Sequence, residues 1–222
     1  MLLSVNTFVS LDSVMQGPGA PDEDISDGFD RGGWLVPLVT EESDEIVNSW
    51  FRKAEAILIG RRTFQMMRAY WSQVTNPDDL VATALNTWPK YVVSQTLSDD
   101  DAAWGPTTVV RGDVVDNVRR LKEGSRSAGE LQVHGSWRLA RTLHDAGLVD
   151  IVRILQFPLV VGSGKRLFPE DAAPAGYTVD SSESRVLPNG TVALTLRTSN
   201  VGQVDAGSYL VHDGQRIEGA EN

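Results

Sequence analysis

Ala56-Ile57-Leu58-Ile59-Gly60-Arg61-Arg62-Thr63-Phe64 is the stretch whose reading decides the fold. Ala56–Gly60 is apolar without alternation, as in a strand covered on both faces of a parallel sheet. Gly60 closes that run, and residues 62–70 read as a helix. A buried strand running directly into a helix is one step of an α/β sheet, not of a sandwich or a bundle.

The same alternation extends outward in both directions. Leu2–Leu11 is predicted as a buried first strand. Ile46, Val47, Trp50, Phe51 and Ala54 share one helix face, with Thr40 as N-cap. Tyr91–Ser94 and Thr107–Val110 read as strands, and Val114, Val118 and Leu121 set a helix. Glu130–Val133 is a strand, and Ser136–Ala146 is a helix stopped by Gly147. Asp150–Val161 reads as a long strand. Tyr177–Glu183 and Thr191–Thr198 alternate around the turn Pro188-Asn189-Gly190, which predicts a terminal hairpin.

The expected order is therefore β-α-β-α-β-β-α-β-α-β followed by that hairpin. It implies a mixed, mostly parallel sheet with helices on both faces. No linker divides the chain, so residues 1–198 read as one domain. Residues 199–222 read as an extension, with Tyr209–His212 one more strand or the tail partly disordered. Residues 12–37 form a long Gly-, Pro- and Asp-rich loop, expected to be ordered around Val14, Met15, Phe29, Trp34 and Leu35.

Composition narrows the function. The chain has 222 residues, 20 Lys+Arg against 30 Asp+Glu, a net charge of −10, three His and no Cys. The missing cysteines exclude a disulfide framework, thiolate zinc, a Cys nucleophile and Fe–S ligation, and no metal site is expected. The acidity argues against nucleic acid as a partner. The N-terminus lacks the charged and apolar regions of a signal peptide, and no apolar run approaches the ~20 residues of a membrane span. A soluble, cytoplasmic protein is expected. The charge is uneven: residues 12–45 hold ten acids and one base, residues 52–166 hold 16 bases and 12 acids, and residues 167–222 hold eight acids and three bases. A basic centre between two acidic flanks suits an anion, although unselected surface charge gives the same count.

Three short motifs follow buried strands. Gly60-Arg61-Arg62-Thr63 opens a helix whose free N–H groups and dipole suit phosphate, with arginines as further donors. Val133-His134-Gly135-Ser136 repeats that geometry, and Ser94 ends a third strand. Each is equally an ordinary strand–helix turn. Their common place, beyond the carboxyl ends of strands, is where open α/β sheets bind ligands. Other signatures fail. Gly162-Ser163-Gly164-Lys165-Arg166 has Leu159 and Arg166 where a P-loop needs Gly and Ser/Thr. There is no Gly-x-Gly-x-x-Gly after the first strand and no Gly-x-Ser-x-Gly elbow. His144 beside Asp145 reads as a helix-end pair and His134 as structural. Trp34 is the tryptophan expected to meet a ligand.

With these residues laid out, the chain resembles the dihydrofolate reductase-like superfamily, nearest to the bacterial bifunctional deaminase-reductase C-terminal (riboflavin-biosynthesis reductase-like) branch. The resemblance runs over residues 1–198. It rests on Ser10-Leu11-Asp12 with Met15-Gln16-Gly17, Ile57–Phe64, Pro89–Ser94, Val133–Ser136, Gly147–Asp150 and Pro158–Gly164 with Leu167-Phe168. It implies the dihydrofolate reductase-like three-layer fold, NADPH as cofactor and a homodimer. It also implies that Arg61 and Ser94 meet the adenosine 2′-phosphate, and that Arg62 and Thr63 lie on the pyrophosphate opposite Gly135 and Ser136. Gly60 belongs to the same cradle. The loop from Asp12 through Gln16 and Gly17 would cover the nicotinamide, with Gly162 and Gly164 bordering the active site.

The implied activity is hydride transfer to a small heterocyclic, carbonyl or imine substrate, as in 5-amino-6-(5-phosphoribosylamino)uracil reductase. Lys165 and Arg166 would hold a substrate phosphate, and Trp34 with the acidic loop would close over the substrate. The alternatives are a non-catalytic nucleotide-binding member of the fold, or a flavin- or pterin-dependent reductase. The sequence departs from the family at Ser13, where Gly is usual, and at His134-Gly135, where folate-type enzymes carry Gly-Gly. Val47 stands where those enzymes place a carboxylate, so dihydrofolate is not the expected substrate; Asp12 or a water would give the proton.

Overall fold

A computed structural model describes residues 1–125 and 128–199 with side chains, and residues 207–212 and 215–220 as backbone. The strands are β1 (Leu2–Ser10), β2 (Ala54–Gly60), β3 (Lys90–Val93), β4 (Thr107–Val110), β5 (Glu130–His134), β6 (Ile151–Phe157), β7 (Tyr177–Val179), β8 (Arg185–Val186) and β9 (Val192–Thr198). The helices are α1 (Glu41–Phe51), α2 (Arg61–Trp71), α3 (Leu80–Thr87), α4 (Val114–Gly124) and α5 (Trp137–Asp145).

Along the sheet the order is β4-β3-β2-β5-β1-β6-β9-β7, with β8 also on β9. β4 through β6 are mutually parallel. β9 runs antiparallel to β6, and β7 and β8 run antiparallel to β9. The sheet is thus mixed and mostly parallel, as its strand patterns require. Ile57, Leu58 and Ile59 are fully buried, which is why β2 shows no alternation. On one face Leu3, Val5, Leu131 and Val133 pack against Val118 of α4 and Leu139 and Leu143 of α5. On the other, Ile57, Ile59 and Val92 pack against Phe51, Phe64, Ala84 and Leu85 from α1, α2 and α3.

Three expectations need correction. Helix α3 was not anticipated. It is only two turns long, and its buried face offers little beyond Ala82, Ala84 and Leu85. Its start was marked, since the Asp79 carboxylate accepts from Ala82 N–H at 2.9 Å. The strand expected over Asp150–Val161 ends at Phe157, because Pro158 has no N–H for the ladder. The Pro188-Asn189-Gly190 turn stands as expected, with Leu187 N–H donating to Thr191 O at 2.8 Å. It joins β9 to the two-residue β8, not to β7. The bend at Asp180–Glu183, closed by Asp180 accepting from Ser182 Oγ and N–H, interrupts the longer strand.

Strands β10 (Gly207–His212) and β11 (Gln215–Ala220) pair antiparallel as a separate two-stranded sheet. The strand anticipated at Tyr209–His212 falls within β10; residues 200–206, 213–214 and 221–222 of the expected tail lie outside the described residues. Among the described residues no helix is long and apolar enough to cross a membrane.

Candidate active site

β2 and β5 are parallel neighbours, so the helices that follow them start side by side. Gly60 is the N-cap of α2 and Ser136 that of α5; neither end has a side-chain cap. No acid stands in the first turn of either helix. Ser136 Oγ instead accepts from Gly60 N–H at 3.0 Å, stitching the two turns together. Gly135 (φ +56°) and Ser136 (φ +52°) are both left-handed. A Cβ on Gly135 would come 3.7 Å from Thr63 Cγ2, so the two turns face each other closely. Two adjacent helix N-termini without side-chain caps form a positive cradle that could hold an anion.

Arg61 and Arg62 are exposed at the head of α2. Arg61 Nη1 donates to Thr96 Oγ1 at 2.5 Å, which swings the guanidinium over the end of β3. Ser94 is buried there, and its Oγ accepts from the N–H groups of Thr96 and Leu97 at 3.2 and 2.9 Å. Ser94 therefore builds the turn and Thr96 presents the hydroxyl. Thr96 escaped the sequence reading, although a Ser two residues before a Thr at a strand end is a recognisable turn signal.

The second half of the site is a pair of loops clasped together. The Asp12 carboxylate accepts from Ser10 Oγ–H (2.6 Å), Val161 N–H (3.0 Å) and Gly162 N–H (2.8 Å). Partial burial alone would raise its pKa, but these hydrogen bonds outweigh burial and hold it at about 2. Asp12 is thus an ionised clasp between two loops, whereas general acids work best with a pKa near the working pH. Gln16 is buried; it donates to Asp24 O and Ser26 O and accepts from Lys165 N–H at 3.0 Å. Trp34, half-buried, donates its indole N–H to Gln16 O at 2.9 Å and packs edge-on against Phe157 at 6.1 Å. It is committed to holding the loop down. Gly17 (φ +56°) accepts from Gly33 N–H, fastening the same loop.

Both proposed phosphate ligands have partners within the protein, Lys165 largely buried and Arg166 exposed. Lys165 Nζ lies 2.5 Å from Asp24 Oδ2 and 2.5 Å from Ser26 Oγ. Arg166 donates to Asp12 O and Gly162 O, each at 2.9 Å. Gly162 and Gly164 carry φ of +94° and +135°. At Gly164 a Cβ would stand 2.7 Å from Val14 Cγ1, so only glycine fits. Between this loop, Gln16, Phe29 and Trp137 of α5 opens a groove of about 590 Å³.

His134 lies on the opposite sheet face, buried and stacked on Phe51 of α1 at 4.4 Å. Gln132 Nε2 donates to Glu130 and to Trp50 O, so its Oε1 must accept from His134 Nε2–H. Burial first, then the charge of Arg153, pushes His134 down to about 3, and it stays neutral. Its structural reading holds. His144 Nδ1 faces Asp145 at 3.2 Å with its ring against Phe168, and among the described residues no hydroxyl bonds to the pair. Among the described residues no group of three His, Cys, Asp or Glu could hold a metal ion.

Comparison with known proteins adds to this geometry. A sequence model of the RibD C-terminal domain matches residues 2–193. The uncharacterized protein YyaP of Bacillus subtilis (strain 168) is 27% identical over 149 residues, covering 64% of this chain and 74% of that protein. Among solved structures, a putative riboflavin biosynthesis protein from Shewanella sp. PV-4 superposes with a TM-score of 0.68 at 19% identity, covering 90% of this chain and 100% of that one. Dihydrofolate reductase from Enterococcus faecalis, complexed with NADP(H) and RAB-propyl, superposes with a TM-score of 0.53 at 11% identity, covering 90% and 97%. At these identities the structural likeness is one of fold, and that fold is dihydrofolate reductase-like.

Proposed function

Because the chain belongs to the RibD C-terminal domain family, a family of reductase type, we propose that it is an NADPH-dependent reductase acting on a C=N or C=O bond of a small heterocycle. The observation that carries this reading is the pair of uncapped helix N-termini meeting at Gly60 and Ser136. Such a cradle fits a dinucleotide's diphosphate, and Gly135 lets the phosphates approach the backbone. Arg61, bonded to Thr96 beside the Ser94 turn, would meet a further phosphate on the ribose, which separates NADPH from NADH.

NADPH, when bound, supplies the hydride from its own ring chemistry. The protein orients and shields. Arg62 and Thr63 would sit against the diphosphate from α2, with Gly135 and Ser136 opposite. The loops tied together through Asp12, Gln16 and Gly162 would border the reacting end. Asp12, ionised near neutral pH, has no proton to give, so water supplies it. Val47 on α1, in place of a carboxylate, leaves a pterin without its usual ionic partner. A tryptophan-fluorescence titration tests the reading: NADPH should quench saturably below about 1 mM. No saturable change up to that concentration would defeat it.

A further inference from the structure

We propose that the groove at Trp137 admits an uncharged, unphosphorylated ring, and that a phosphorylated substrate is turned away there. The inference rests on the reductase reading above and deepens it. It departs from the phosphoribosyl substrate that the sequence resemblance implies.

The groove's volume of about 590 Å³ falls within the range of small-molecule sites. It begins at the first residue of α5, next to the cofactor cradle, and runs to the clasped loops. Phe29 and Trp137 offer ring surface. The Trp137 indole N–H donates to Arg166 O at 2.8 Å, which fixes the ring's orientation.

The groove's two bases are occupied within the protein. Lys165 is 15% exposed and sits between Asp24 at 2.5 Å and Asp27 at 3.9 Å. Arg166, 44% exposed, donates to two backbone carbonyls, and its Nη2 lies 3.5 Å from Asp12 Oδ2. A phosphate would have to displace Asp24 to reach Lys165, and at Arg166 it would compete with the neighbouring Asp12 carboxylate.

The remaining charges on the groove are Asp27, Glu170 and Asp171. Asp171 is held by Arg141 at 2.7 Å, while Asp27 is 82% exposed and Glu170 has no ion pair among the described residues. The anion-binding feature at the groove's end, the α5 N-terminus, is the one assigned to the cofactor diphosphate. An incoming dianion therefore meets like charge with no uncompensated cation on the groove wall.

The test uses full-length ¹⁵N-labelled protein and follows the Trp137 indole N–H, assigned by its loss in Trp137→Phe. NADP⁺ is added to saturation, then uridine or uridine 5′-monophosphate, which differ only by the phosphate. Uridine should shift the Trp137 signal saturably, and the monophosphate should bind at least about tenfold more weakly. The double variant Asp27→Asn/Glu170→Gln, altering two exposed side chains, should bring the monophosphate toward uridine by several-fold. Lowering the salt should widen the gap in the wild type. A monophosphate that binds as tightly as uridine overturns the proposal, as does a uridine that leaves Trp137 unmoved or a double variant with an unchanged ratio. Failure of NADP⁺ to perturb any signal is a separate result. It counts against the reductase reading, and the uridine arms are then read on the free protein.

Discussion

Glu130 and Arg153 show how much chemistry a single position can hide. Arg153 is 1% and Glu130 7% exposed, and they meet in a two-point pair at 2.6 and 2.7 Å. Ser4 Oγ and Gln132 Nε2 complete the carboxylate's partners. Burial alone would raise the Glu130 pKa, but Arg153 and these hydrogen bonds outweigh it and lower it. The lowered value means that the stability Glu130 contributes is present above the unfolded carboxylate range and is lost as pH falls through the folded value. Arg153→Met alone strands a buried carboxylate and should cost about 3–5 kcal/mol in urea melts; Arg153→Met with Glu130→Leu should recover most of it. An equally unstable double variant would refute this.

Lys90 is the opposite case. It is 1% exposed, with Trp88 O as its one hydrogen-bond acceptor among the described residues and the Trp104 ring 5.0 Å away, and burial lowers it to about 8. The folded state thus holds this proton less firmly than the unfolded chain. Stability should rise as pH goes from about 8 toward 10.5, and Lys90→Met should stabilise at pH 7 by on the order of 1 kcal/mol. Melts at pH 7 and 9.5 decide it; a less stable Met variant would contradict it. Neither group was legible in the sequence. An Arg or Lys inside an apolar run looks the same whether its partner is a buried carboxylate across the sheet or water.

At the scale of elements, the sheet and most helices could be read from local pattern, because burial on both faces removes alternation and caps mark ends. Thr40 illustrates this: it caps α1 through a reciprocal pair with Ser43, where the sequence placed it. The misses were short elements, α3 and β8, whose few side chains carry too little periodicity to stand out. The cradle was half legible. Gly60 and Gly135 could be placed after their strands, but the bond between Ser136 Oγ and Gly60 N–H depends on β2 and β5 being neighbours, which their separation in sequence conceals. Gly135→Ala tests this element directly. Its positive φ makes Ala strained by about 1–3 kcal/mol. The variant should stay folded and bind NADPH at least about tenfold more weakly in a fluorescence titration. Unchanged affinity would mean that the turn does not touch the cofactor.

Across the whole molecule, the net charge of −10 acquires a different meaning. Part of the acidic block at residues 12–45 is turned inward onto the basic centre: Asp12 toward Arg166, and Asp24 onto Lys165. Those partners lie 154 and 141 residues apart. Segment charge counts suggested an anion for the basic centre; the fold gives Lys165 and Arg166 to the loop and leaves Arg61 and Arg62 at the cradle. The proposed preference for NADPH therefore rests on Arg61. Calorimetric titration of the wild type and Arg61→Ala with NADPH and with NADH tests it most directly. Wild type should prefer NADPH by at least about tenfold, and Arg61→Ala should remove most of that preference while leaving NADH binding within about twofold. No NADPH binding, or a preference untouched by Arg61→Ala, would contradict it.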